Sequence, residues 1–143
     1  MSDDGREAEA VIEYERTLTE VADRQAVDEA EDAVARAWIA ELDDMRREGL
    51  RLAMAVRVAE RVAREKLRKA QQLGHPHELA KAHAKLAATQ AETKVSLGHA
   101  NALLCSVDAE LEAVCQAGMA RTRRNEQDLR RLRSAWTAAY GRS

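Results

Sequence analysis

The sequence predicts an all-α protein, built as an antiparallel helical hairpin or coiled coil that turns at Gly74-Pro76. Three observations carry this. The composition is that of long helices, with 29 alanines in 143 residues, 34% charged residues, 3% aromatics and no Phe. The single proline stands mid-chain in Gly74-His75-Pro76, where a glycine closes one helix and a proline opens the next. Apolar residues on both sides recur at helical spacing, and the period-two alternation of a strand appears nowhere. The 45% apolar content at that regular spacing separates the chain from a disordered one of equal charge.

One domain is expected over 1–143. Its parts are a disordered N-terminus at 1–6, a first arm at 7–73, the turn at 74–76, a second arm at 77–140 and a tail at 141–143. At 1.5 Å per residue, each unbroken arm reaches roughly 100 Å.

The second arm carries the clearer pattern. Leu79, His83, Leu86, Gln90, Thr93, Leu97, Ala100, Leu104, Val107, Leu111, Val114 and Gly118 alternate in steps of four and three, a heptad seam. An extra step of four then leads to Thr122, Asn125, Leu129, Leu132, Trp136 and Ala139, which reads as a stutter.

The first arm is less regular. Val11, Tyr14, Leu18 and Val21 form one stripe, a polar stretch dilutes it, and Ala35, Trp38, Leu42 and Met45 resume it. Beyond Gly49, Leu52, Val56, Ala59, Ala63, Leu67 and Ala70 share one face, while Met54, Val58 and Val62 lie on another. Together they cover about 220° of the helix, more than one partner helix can bury. Self-association through Leu50, Met54, Val58 and Val62 is therefore expected.

Levels in such a hairpin pair residues whose numbers sum to about 150. Gly49 and Gly98 meet this condition, so both arms can also fold there into a four-helix bundle of shorter helices. Tyr14 falls level with Trp136, and Tyr140 with Ala10, which gathers scarce aromatics into one cluster.

Charge is divided along the chain. Residues 1–48 carry 16 acidic and 6 basic groups, 49–99 carry 4 and 10, and 100–143 carry 5 and 7. The arginine-rich second arm can thus pair with the acidic first arm, which favours antiparallel orientation. Near the turn, Arg57, Arg61, Arg64 and Arg68 fall within about 60° of one another, and Lys81 and Lys85 add charge on the second arm. This basic stripe is either a docking face for an acidic partner or a solvated face that keeps an apolar helix in solution.

Several chemistries are not spelled out. No Glu precedes His75, His77, His83 or His99 by three residues, as a di-iron bundle requires. His83 stands five residues beyond Glu78 rather than three, which breaks a His-Glu-x-x-His pattern. His77 and His83 are about 240° apart on a helix and cannot chelate together from its surface. His83 on the seam is a candidate pH-responsive residue. Cys105 and Cys115, ten apart, match neither a zinc pair nor a redox dithiol and read as small packing residues in a reducing cytoplasm. The N-terminus lacks the apolar core of a signal peptide, and no apolar run is long enough to span a membrane.

The expected function is non-enzymatic: a protein–protein interaction or assembly protein such as an adaptor, scaffold, stalk or chaperone-like subunit. It binds protein partners and itself, without a cofactor, in the cytoplasm. One alternative is a nucleic-acid-binding protein using the arginine stripe, against which stand a pI of 6.1 and the lack of interleaved aromatics. Another is a metal or cofactor site inside a helical bundle. The architecture resembles that of export-apparatus stalks and other helical-hairpin proteins. The Trp-x-Gly turn of the small secreted hairpins is replaced here by Leu-Gly-His-Pro-His.

Overall fold

A computed structural model describes residues 3–141 as two α-helices, α1 (Asp3–Leu73) and α2 (Pro76–Tyr140), packed against each other as a helical hairpin. Helix α1 starts four residues earlier than expected. Asp3 and Asp4 occupy its first turn, where carboxylates meet the positive end of the helix dipole. Of the segment expected to be disordered, residues 3–6 are thus helical, and Met1 and Ser2 lie outside the described residues, as do Arg142 and Ser143 of the expected tail.

The turn takes the form its residues dictate. Gly74 adopts φ 72°, a left-handed conformation that costs a glycine little. Its N–H donates to the Ala70 carbonyl at 3.1 Å, the single bond that closes a helix through a left-handed cap. Pro76 is the first residue of α2, where its missing N–H leaves no helical bond unmade. The Leu79 N–H donates to the His75 carbonyl at 2.9 Å, so His75 caps the new helix. Gly74 and Pro76 are the hinge residues that the sequence marks.

Two compact units make up the chain. A terminal unit joins Met1–Ile39 to Glu112–Ser143, and a turn unit comprises Ala40–Leu111. In the turn unit the two helices meet through small side chains. Ala63, Ala70, Ala100 and Val107 are buried beside Leu42, with Gly49, Thr89 and Thr93 on the same seam. A Cβ on Gly49 would stand 3.3 Å from the Leu104 side chain, so the helices approach closely at this level. The Thr93 hydroxyl donates to the Val56 carbonyl at 3.4 Å, while the Thr89 hydroxyl donates to the Lys85 carbonyl one turn back at 2.8 Å.

Helical bonding continues through both Gly49 and Gly98. The breaks that four shorter helices would need at these glycines are absent. A Cβ on Gly98 would meet nothing within 4 Å, so only one glycine of this pair serves close approach.

The seams keep most of the positions that the apolar pattern suggests, Leu97, Ala100, Leu104, Val107, Leu111 and Val114 among them, and depart from it at others. On α1 of the turn unit, Ala53 and Glu60 replace Leu52 and Ala59, which are exposed. On α2, His83 and Gln90 are exposed, and Ala82 and Thr89 face α1 instead. In the terminal unit no stutter follows Gly118. The steps continue as three and four through Arg121, Asn125, Asp128, Leu132, Ala135 and Ala139, leaving Thr122, Leu129 and Trp136 exposed. The reason is visible in the pairs that the register makes. Arg121 donates to Asp32 at 2.7 Å and lies 3.7 Å from Glu31, Gln25 donates to Asn125 at 3.2 Å, and Arg24 sits 2.9 Å from Asp128. A side chain as long as Arg121, only 12% exposed, cannot be enclosed without such partners. The aromatic cluster of this unit forms with a changed pairing. Tyr14 meets Tyr140 edge-to-face with ring centroids 5.6 Å apart, and Trp136 lies 6.1 Å from Tyr140 on its own helix.

The glycines differ in what they tolerate. Gly98→Ala is expected to raise stability by about 0.5–1 kcal/mol, because a mid-helix Cβ there meets open space. Gly74→Ala is expected to lower it by about 1–2 kcal/mol through its positive φ. Urea unfolding followed by circular dichroism separates the two; equal shifts would contradict the different environments of these glycines.

Candidate interaction faces

In the turn unit, α1 spends its inward face on α2 and leaves its back uncovered. Leu50, Met54, Val58 and Val62 are 48%, 67%, 50% and 47% exposed. Their steps of four advance about 40° each time around the helix, so the stripe climbs diagonally across the face turned away from α2. The sequence placed these residues together, and the structure leaves all four in the open. The excess of uncovered side chains is general. Seventeen large apolar residues are exposed among the described residues, twelve of them on α1, against six buried apolar ones.

The four arginines flank this stripe on one side. Two are neutralised by their own helix: Arg64 reaches Glu60 at 2.6 Å and Arg68 reaches Glu65 at 2.5 Å. Arg57 and Arg61 are exposed and make no ion pair among the described residues. Lys81 and Lys85 do not join them. Both line a groove of about 690 Å³ with Lys66, whose floor is Ala63, Ala70 and Ala82. Lys66 lies roughly 140–180° around α1 from the arginines. Lys81 and Lys85 therefore gather beside Lys66 and not beside the arginines, and Lys69 with Arg61 and Lys66 lines a groove between the two groups.

The terminal unit holds 15 acidic and 11 basic groups, and its acidic excess lies on α1. Residues 1–39 hold 12 acidic and 4 basic groups. Several are matched across the helix pair, with Asp28 3.1 Å from Arg124 and Glu20 hydrogen-bonded to Arg131. That hydrogen bond holds the Glu20 carboxyl below its ordinary value and the Arg131 guanidinium above its own. Glu48 and Glu65 are lowered in the same way, chiefly by hydrogen bonds from Arg51 and Arg68. Glu9, Glu15, Asp23 and Glu29 are exposed and make no ion pair among the described residues.

The remaining candidates of the sequence are dispersed. All four histidines are exposed, and His83 points away from the seam on which a pH-responsive role would rest. Cys105 and Cys115 are free and exposed, not packed. Their spacing alone could have shown that both cannot share the face that holds Val107 and Leu111. Among the described residues, no three His, Cys, Asp or Glu side chains are grouped so as to hold a metal ion, and no helix is long and apolar enough to cross a membrane. The feature that sequence reasoning missed is that Gln25, Arg121 and Asp128 join Asn125 in a polar seam. Its signal was present in the arginines placed opposite acidic residues, whose numbers sum to about 152. Comparison of the chain with protein-family models, curated proteins and solved structures finds no match.

Because Glu20 titrates lower when folded than when unfolded, its stabilising contribution is present above its ordinary value of 4.5 and is lost as pH falls through the lowered one. The thermal midpoint is expected to drop as pH is taken below 4.5, and less steeply in Glu20→Gln. Both slopes should shrink at high salt, since the pair is exposed. Indistinguishable slopes for the two proteins at low salt would remove Glu20 from the acid response.

Proposed function

We propose that this chain is a non-enzymatic assembly protein that associates with itself through the back of α1 in its turn unit. The observation that carries the reading is the exposure of Leu50, Met54, Val58 and Val62 on a helix whose other face is already used. A contiguous exposed apolar stripe of this kind marks an interaction site more often than chance surface composition. The imbalance between exposed and buried apolar side chains adds to it, since a two-helix pair buries too little to account for the apolar content of the chain. The free cysteines suit a reducing compartment such as the cytoplasm.

Light scattering on the purified protein tests this directly. The wild type is expected to show a mass of two or more chains. Val58→Asp combined with Val62→Asp should reduce it to the single-chain 15.9 kDa with helicity by circular dichroism unchanged. An unaltered mass in a helical variant would end the proposal.

Nucleic-acid binding is the second reading, favoured only by the two arginines without an ion pair. Its reach is reduced because Arg64 and Arg68 are already satisfied by carboxylates. A phosphate-binding face of two to four cations loses roughly tenfold or more in affinity between 50 and 200 mM salt. Fluorescence anisotropy with labelled duplex and single-stranded oligonucleotides at about 50 mM salt is expected to show no binding; salt-sensitive binding abolished by Arg57→Glu with Arg61→Glu would establish this reading instead.

A further inference from the structure

What covers the stripe on the turn unit can be read from the charge at its edges and from a second uncovered face. On the terminal unit, the polar seam turns apolar side chains outward. Ile12, Val27 and Val34 are 56%, 56% and 70% exposed. They fall within about 60° of one another on α1, together with Asp23 and Ala30, on the side opposite the buried Thr17 and Val21. The inward positions that apolar residues would ordinarily hold are taken by Gln25, Asp28 and Asp32. The back of α1 in the terminal unit is thus an apolar strip that also holds Glu9 and Asp23, whose carboxylates no cation of the same chain pairs among the described residues, and Arg16, which is paired with Glu13 at 3.3 Å. The back of α1 in the turn unit is also an apolar strip, accompanied by the unpaired cations of Arg57 and Arg61.

These two faces are complementary in charge and alike in apolar character. We infer that the partner seated on Leu50–Val62 is the outward face of α1 in the terminal unit of a second copy. The inference rests on the self-association proposed above and names the surface that meets it. Pairing of two turn units with each other is the competing arrangement, and it brings Arg57 and Arg61 against their own counterparts. Like charges facing each other at an interface rim cost affinity and slow encounter, whereas opposite charges speed it. The turn unit holds 12 basic against 10 acidic groups and the terminal unit 11 against 15, so the net charges have the same preference as the local pairs, though with a small difference.

Charge reversal with restoration tests the arrangement. Association constants are measured by sedimentation equilibrium in low-salt buffer for four proteins of checked helicity. They are the wild type, Arg57→Glu with Arg61→Glu, Glu9→Arg with Asp23→Arg, and the chain carrying all four changes. Each pair of reversals is expected to weaken association by about tenfold or more, and the quadruple variant is expected to recover most of that loss, because opposite charges again face each other. Wild-type association should weaken as salt rises. If association occurs but the Glu9 and Asp23 changes leave it untouched, or the quadruple variant shows no recovery, the partner face is not the terminal unit and the inference fails. If Val58→Asp with Val62→Asp also leaves the mass unchanged, self-association through the stripe fails as well, so the two failures are distinguishable.

Discussion

Everything in this molecule follows from one constraint: a helix paired with a single partner can bury one stripe, and each of these helices carries apolar residues on more than one. The stripe that wins is the one whose side chains can be enclosed against the opposite helix at short range. In the turn unit that selects small residues, with Ala63, Ala70, Ala100, Thr89 and Thr93 buried and Gly49 against Leu104. Larger neighbours such as Met54 and Val58 are displaced to the back. The uncovered stripe is thus the consequence of tight pairing on the other side.

In the terminal unit the same competition is decided by charge. Arg121, Asn125 and Asp128 face α1 because acidic and amide partners wait there, while Leu129 and Trp136 turn to the surface. An arginine as enclosed as Arg121 needs carboxylate partners, and Asp32 and Glu31 supply them at this register. A polar seam also specifies register, since each pair is satisfied at one alignment of the two helices only. Orientation and register therefore come from the ionic unit, and close approach comes from the alanine-lined one.

The fold was largely legible in the sequence. Helical composition, the absence of strand periodicity and the Gly74-His75-Pro76 punctuation act locally, through backbone conformations that each residue carries with it. The stripe of Leu50, Met54, Val58 and Val62 was legible for the same reason, as a surplus of apolar arc. Seam register was legible only in part: Leu97, Ala100, Leu104, Val107 and Leu111 face α1 as the heptad spacing expects. His83, Gln90 and Leu129 obey the heptad spacing as well as Ala82, Thr89 and Asp128 do, and periodicity does not rank two registers that differ by one residue. The separation of Lys81 and Lys85 from the arginines was equally hidden, because these lysines take their place beside Lys66 through the pairing of α2 with α1.

The sequence by itself determined two long helices, where they turn, their antiparallel charge match and the presence of more apolar surface than one pairing can hide. These are properties of single residues and of spacing along one helix. Only the tertiary structure decided which side chains face inward, because that choice compares residues far apart in the chain, 37 positions for Thr93 and Val56 and 89 for Arg121 and Asp32. The 2.7 Å contact of Arg121 with Asp32 and the fit of Leu104 over Gly49 exist only once both helices are side by side. Their geometry settles what is buried, and by subtraction which faces are left for a partner.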